Sequence, residues 1–180
     1  DVYKRQLLFF AALCGAFASC SSIRDIDLRV IGNPQQNTSI KGSPGRVVYV
    51  RAYPLVGQAS VAGFYQAPFS SLWVDDARPE IQGIQFGGDY VECDVLPPAS
   101  SAESKSIAPT VALKGVPGEV THIGVLAMFR NCEPPHGRLV LTKDEAADGP
   151  VYIVVDKQDH KANSLQKHAD LQQAEEKESQ

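Results

Sequence analysis

The sequence lacks an apolar run long enough to cross a bilayer. Its longest such run, Leu7–Ala18, is shorter than the roughly 20 residues that a spanning helix needs. An apolar run of this length that ends in small residues is typical of a secretory signal peptide, so we expect residues 1–19 to be one. A buried helix is disfavoured because no polar face interrupts the run. Residues 1–6, DVYKRQ, match the translation of a DNA sequence that resembles a transposon-end adapter, and we expect them not to be native.

The sequence also lacks a cluster of basic residues. It has 17 Lys and Arg against 21 Asp and Glu, and its net charge is −4 at pH 7. This balance argues against nucleic acid as a partner. The chain is 43% hydrophobic and 21% charged, which is ordinary for a globular protein. Without the signal peptide, its length suits a single domain with a real core.

Patterns that carry catalysis or bind metal are missing from the sequence. There is no G-x-S-x-G motif, no glycine-rich phosphate loop between a strand and a helix, and no C-x-x-C pair. None of the four histidines has a second ligand at metal-binding spacing; they are His122, His136, His160 and His168. The carboxylate pairs Asp75–Asp76 and Glu92–Asp94 are expected to be exposed charge. We therefore expect no catalytic residues, no metal and no cofactor, and a binding module is the favoured class.

Among the features that are present, Cys20 has the clearest context. It follows the small residues Ala18 and Ser19 at the end of the apolar run, which resembles a bacterial lipobox, although Phe17 stands where that motif usually has leucine. Cys14 is a poorer candidate because the bulky Leu13 precedes it. We expect Cys20 to carry the lipid that anchors the chain to the membrane. Ser21, which is not an aspartate, favours sorting to the outer membrane.

Cys93 and Cys132 remain once Cys14 is removed with the signal peptide and Cys20 is lipidated. In an oxidising periplasm two such cysteines usually form a disulfide, and the alternative is two separately buried thiols. We favour the disulfide.

Alternating apolar and β-branched residues predict several short strands. The predicted strands lie within residues 46–55, 89–98, 106–116, 121–131, 137–143 and 150–158. A short helix is predicted within residues 64–77, where Trp73 is expected to be a core anchor. Without βαβ alternation, these elements indicate an all-β fold with a short helix, a two-sheet β-sandwich. We place a lipidated tether at 20–45, the sandwich at 46–160 and a polar tail, disordered or a frayed helix, at 161–180.

The order of several segments resembles the type VI secretion lipoprotein family TssJ, also called SciN. The residues that carry the likeness are NPQQNTSIKGSPGRVVYVRAYPL (33–55), FYQAPFSSLW (64–73), VLPP (95–98) and THIGVLAMFRN (121–131). The resemblance implies a transthyretin-like sandwich on a lipoprotein of the outer membrane that faces the periplasm. It also implies that the chain anchors the type VI secretion membrane complex by binding the periplasmic domain of the inner-membrane protein TssM.

In that family a loop after the first strand is implicated in partner binding. The matching positions here are about 55–63, and the candidate contact residues are Leu55, Val56, Gly57, Gln58 and Val61. The segment is rich in small and apolar residues, so little charge would have to be desolvated on docking. The alternatives are a plain surface loop at this position, and a different function for the whole chain. That function is a small-ligand-binding or glycan-binding periplasmic sandwich with a concave aromatic patch of Tyr65, Trp73 or Tyr90.

Overall fold

The computed structural model describes residues 23–33, 36–37, 45–75, 78–97, 109–129, 134–156 and 164–167. The strands in these ranges are β1 (Arg24–Gly32), β2 (Val48–Leu55), β3 (Val91–Val95), β4 (Thr110–Val116), β5 (His122–Ala127), β6 (Arg138–Thr142), β7 (Val151–Asp156) and β8 (Ser164–Lys167). The helices are α1 (Gly57–Gln66), α2 (Phe69–Leu72) and α3 (Lys143–Ala147). No helix in the described part of the chain is long and apolar enough to cross a membrane.

The strands form two four-stranded sheets. Sheet A has the order β4-β1-β7-β8 and sheet B has the order β3-β2-β5-β6. Their inner faces share one core, to which both sheets contribute fully buried aliphatic side chains such as Leu28, Val50, Val125 and Ile153. The predicted β-sandwich is therefore confirmed, and each of the six predicted strands contains a strand of the structure.

The predicted tether at 20–45 is wrong over residues 24–32, which form β1. This strand lies inside sheet A, antiparallel to β4 and parallel to β7. Ile26, Leu28 and Val30 point into the core, while Asp25 and Asp27 are exposed. The apolar positions repeat every second residue, which is the period of a strand with one buried face.

The C-terminal segment also differs from its prediction: residues 164–167 of the predicted polar tail form β8, which pairs with β7. The connection between β6 and β7 contains α3, because Thr142 and Glu145 form a capping box that satisfies the first backbone N–H groups of this helix.

The segment 55–63, predicted as a loop, is the end of β2 followed by α1. The predicted helix within 64–77 corresponds to the last residues of α1 and to the short α2. Glycines allow α1 to approach its neighbours closely: a Cβ at Gly63 would lie 2.7 Å from a side-chain carbon of Ile84, and one at Gly124 would lie 3.0 Å from the ring of Phe64. The helices thus form a third layer on the outer face of sheet B.

The position of β1 generates a test. Leu28→Ala should destabilise the domain by about 2–5 kcal/mol, because it leaves a cavity in the core of the sandwich. The matched control is Asp27→Ala on the exposed face of β1, where the solvent-exposed ion pair with Lys114 contributes little to stability. Urea unfolding of both variants measures the difference. A loss at Leu28 no larger than that at Asp27 would contradict the central place of β1.

Candidate functional site

The outer face of sheet B carries a second hydrophobic core beneath the helices. It contains Tyr53 and Leu55 of β2, Phe64 of α1, Leu72 of α2 and Phe86 of the following loop, all of which are buried. The Tyr53 ring contacts the rings of Phe64 and Phe86 at centroid distances of 5.8 and 5.7 Å. Its hydroxyl donates to the carbonyl oxygen of Leu72 at 2.8 Å. Burial raises the pKa of Tyr53, so this hydroxyl stays protonated and keeps α2 attached to the sheet.

Arg51 lies at the edge of this second core and is 4% exposed. Its guanidinium carbon sits 4.0 Å from the ring centroid of Trp73 and 4.2 Å from that of Tyr90. These distances are within the range of cation–π contacts, so the cation lies between two aromatic rings.

The guanidinium nitrogens of Arg51 also have polar partners. Nε donates to Glu92 on the neighbouring β3, Nη1 donates to the carbonyl oxygen of Val74 at 2.8 Å, and Nη2 lies 3.6 Å from Asp75. Burial acts to lower the pKa of Arg51, and hydrogen bonds, first that to Glu92, raise it; the net direction is upward. Arg51 therefore remains charged and joins β2, β3 and the segment after α2.

The aromatic patch predicted for a glycan or small ligand is present only in part. Trp73 and Tyr90 come together, but Arg51 fills the space between their rings, and Phe69 stacks on Trp73 at a centroid distance of 5.3 Å. Tyr65 makes an edge contact with Phe64 instead. Trp73 packs against the second core, as predicted for an anchor. A sugar ring could not lie between Trp73 and Tyr90 without displacing a charged group.

Four of the five predicted partner-contact residues are not exposed. Leu55 and Val61 are buried in the second core, Val56 packs against the main core, and Gly57 is half-buried. Gln58 is exposed, as are its neighbours on α1, Ala59 and Ala62. The correction has a physical reason, since Val61 and Phe64 are spaced to face the sheet from one side of a helix. A partner can reach Gln58, but it cannot reach Leu55 or Val61 in the folded chain.

The cysteines and histidines give no reactive site in the described residues. Cys93 is half-buried, packs against the main core and forms no bridge within the described part of the chain. Its predicted partner Cys132 and the predicted lipidation site Cys20 lie outside the described residues, so the Cys93–Cys132 disulfide stays a prediction. His122 accepts or donates through Nδ1 at 2.8 Å from the Thr121 hydroxyl. Within the described ranges no three His, Cys, Asp or Glu residues are grouped to hold a metal ion.

An open groove of about 600 Å³ lies along the loop from Arg78 to Phe86. Arg78 donates through Nη2 to the carbonyl oxygen of Phe86 at 2.8 Å, which connects the two ends of this loop.

The sequence patterns predicted neither this loop nor the Arg51 cluster. The one signal for the cluster was an arginine between the apolar residues of a strand, because a buried arginine requires partners.

The Arg51 cluster generates a second test. Arg51→Ala should destabilise the domain by about 3 kcal/mol, because it removes two ring contacts and leaves Glu92 without its cation. Arg51→Lys should recover less than half of the stability that Arg51→Ala loses, since an ammonium group cannot stack between two rings or donate several coplanar hydrogen bonds. Arg24→Ala, which breaks the exposed pair with Asp144, is the control and should cost about 0.5 kcal/mol. Chemical denaturation measures the free energy of unfolding of each variant. Equal decreases for Arg51→Ala and Arg24→Ala would contradict a structural role for the cluster.

A third test concerns Cys93, whose pKa is raised to about 12 by burial and then by the charges of Asp94 and Glu92. The thiolate is the nucleophile, so alkylation of folded mature protein carrying Cys132→Ser should be roughly 10³-fold slower at pH 8 than in denaturant. The rate should rise about tenfold per pH unit toward pH 12 while the protein stays folded. Fast alkylation of the folded protein at pH 8 would contradict the buried thiol. In the wild type, thiol counting in denaturant without reductant tests the predicted Cys93–Cys132 disulfide: a lack of free thiols would support it, and two free thiols would contradict it.

Comparison with known proteins gives matches among solved structures. No protein-family model matches the chain, and no curated protein does. A chain of a structure described as a type VI membrane complex aligns with a TM-score of 0.57 and 24% identity, over 82% of this chain and 99% of that one. A chain of a structure described as the T6SS protein TssM C-terminal domain from EAEC aligns with a TM-score of 0.54 and 24% identity, over 81% and 98%.

The third match is the T6SS lipoprotein TssJ1 from Pseudomonas aeruginosa. It aligns with a TM-score of 0.51 and 11% identity, over 82% of this chain and 98% of that chain. Each match spans nearly the whole of the compared chain, so the similarity includes both sheets rather than one motif. The chain therefore has the β-sandwich fold of the type VI secretion lipoproteins of the TssJ kind.

Proposed function

We propose that this chain is an outer-membrane lipoprotein that anchors the type VI secretion membrane complex by binding the periplasmic domain of TssM. The observation that carries the proposal is the fold match, which spans 98–99% of chains described as parts of a type VI membrane complex and as the lipoprotein TssJ1. The resemblance of residues 33–55, 64–73 and 121–131 to the same family is an independent support from the sequence.

The start of the domain suits a lipid anchor. Ile23 begins the described chain three positions after Cys20 and is 72% exposed, and β1 follows at once. A lipid on Cys20 would thus be joined to the centre of sheet A through a very short connection. In the proposed function the lipid on Cys20 inserts in the membrane, and the sandwich binds the partner.

A structural role fits the site better than catalysis does. The charged group at the centre of the Arg51 cluster is used to join β2, β3 and the segment after α2, and its aromatic neighbours are occupied by it. The matched structures are of a lipoprotein and of a membrane complex of type VI secretion, which supports the same role.

Two measurements test the proposal together. In cells that carry the protein's own type VI secretion genes, the wild type should incorporate a fatty-acid label, fractionate with the outer membrane and co-purify with TssM. Cys20→Ala should lose the label and the outer-membrane location, because the thiol is the attachment point. The purified Cys20→Ala protein should still bind the TssM periplasmic domain in calorimetric titration, since the lipid is not part of the contact.

The two outcomes that would contradict the proposal are distinct. Equal labelling of Cys20→Ala and wild type would refute lipidation at Cys20. A folded wild-type protein that shows no binding to the TssM domain would refute the partner, and would favour the alternative of a ligand-binding periplasmic sandwich.

A further inference from the structure

The two ends of the sandwich differ in their distance from the predicted anchor. Arg24, at the start of β1, pairs with Asp144 of α3 at 3.2 Å. Lys143 of α3 donates its backbone N–H to Thr121, and Thr121 donates its own to Leu55 at the end of β2. The start of β1, α3 and the end of β2 therefore lie at one end, which we call the proximal end because Cys20 is close to it in sequence.

The opposite, distal end holds the end of β1 and the end of β3. Gln36, four residues after β1 ends, is fully buried and donates through Nε2 to the carbonyl oxygen of Val95 at 2.7 Å. Ile23 is three positions after Cys20, a connection that reaches at most about 10 Å. The nine residues of β1 span about 30 Å. A lipid on Cys20 would therefore hold the proximal end near the membrane and let the distal end project into the periplasm.

Exposed apolar side chains lie at the distal end of sheet B, beyond the helical layer. Tyr49 of β2 is 40% exposed and stands opposite Asp94 of β3 in the antiparallel register. Leu96 lies just past the end of β3, two positions after Asp94, and is 69% exposed. We call Tyr49, Asp94 and Leu96 the distal patch.

The carboxylate of the distal patch has no counter-charge among the described residues. Glu92, on the same face of β3, is paired with Arg51. Asp94 is exposed and makes no ion pair with any residue in the described part of the chain. An unpaired carboxylate between a tyrosine ring and a leucine side chain offers an ion-pair acceptor, a cation–π face and apolar contact to one incoming cationic side chain. The matching partner surface is basic with apolar neighbours.

We propose that the distal patch is a docking surface for a basic and apolar segment of the periplasmic partner. The proposal rests on the proposed function, which supplies a partner that reaches the domain from the side away from the outer membrane. Position and charge together favour this partner segment. The lipid anchor holds the patch away from the outer membrane, and Asp94 favours Lys or Arg over acidic side chains.

The first experiment is calorimetric titration of the mature lipoprotein in detergent with the TssM periplasmic domain. Asp94→Arg should weaken binding by tenfold or more, because it sets a cation against the partner's basic side chain, and Leu96→Glu should do the same by placing a carboxylate in an apolar contact. Asp148→Arg is the matched control: it makes the same change of charge at an exposed site beside α3, at the proximal end, and should bind as the wild type does. Thermal unfolding checks that each variant is folded.

The second experiment places a photo-crosslinking amino acid at single positions in cells that carry the native secretion genes. Positions 49 and 96 should give adducts with TssM. Position 110, exposed on β4 of sheet A, and position 62, exposed on α1, are the comparisons and should give none.

Each outcome bears on one claim. If the wild type binds TssM while Asp94→Arg and Leu96→Glu bind equally well, the distal patch is refuted and the proposed function stands. Adducts at position 62 without adducts at 49 and 96 would also refute it, in favour of α1. If the wild type does not bind TssM, the proposed function fails and the distal patch loses the partner on which it rests.

Discussion

The burial of β2 on both faces is the constraint on which the rest of the structure depends. Val48, Val50 and Ala52 fill the core between the sheets, while Tyr53 and Leu55 continue the strand with their side chains under the helical layer. A two-layer sandwich leaves the outer face of each sheet to water, and an apolar outer face must then be covered. The helices α1 and α2 and the loop from Arg78 to Phe86 provide that cover. Arg51, in the same outward row, fits there only because two rings and a carboxylate enclose it.

The third layer in turn depends on a few close contacts. Gly124 on β5 lets Leu55 and Phe64 pack directly over the sheet, since a Cβ there would lie within 3.0 Å of both. The hydroxyl of Tyr53 holds the end of α2, and Ser60 of α1 donates to Val56 and accepts from the backbone of Gln85. The Tyr53 contact joins α2 to β2, Gly124 lets α1 pack on β5, and the Ser60 contacts join the start of α1 to the loop that contains Gln85. Packing against the sheet and this loop thus holds the layer in place, and α1 has no need of strong intrinsic helix propensity.

The contrast between predicted and observed elements follows from this dependence. Strands with one solvent-exposed face, such as β3 with its alternating Val91, Glu92, Cys93 and Asp94, were predictable because apolar and polar residues alternate within a short stretch of sequence. The same period runs through β1, but the polar residues that follow it and the predicted anchor before it favoured a tether. Gly57 and Gly63 made α1 resemble a loop, and tertiary burial of Val61 and Phe64 overrides that local preference. The Arg51 cluster could not be predicted, because its partners lie about 20 to 40 residues away in the sequence and meet only through the register of β2 with β3.

The position of β1 suits the proposed anchoring function. The strand is paired on both sides, with five residue pairs to β4 and five to β7. Under the proposed function and the proposed distal patch, a pulling force would act on the Cys20 end of β1 and on the partner bound near the opposite end of the sandwich. Such a load runs along the strand, so the hydrogen bonds of both ladders resist it together rather than breaking one after another. If an edge strand were pulled away from the sheet at one end, its hydrogen bonds would break one at a time. Resistance to force is set by the rate of unfolding, and placing the anchored strand inside the sheet raises the number of bonds that must break in one step.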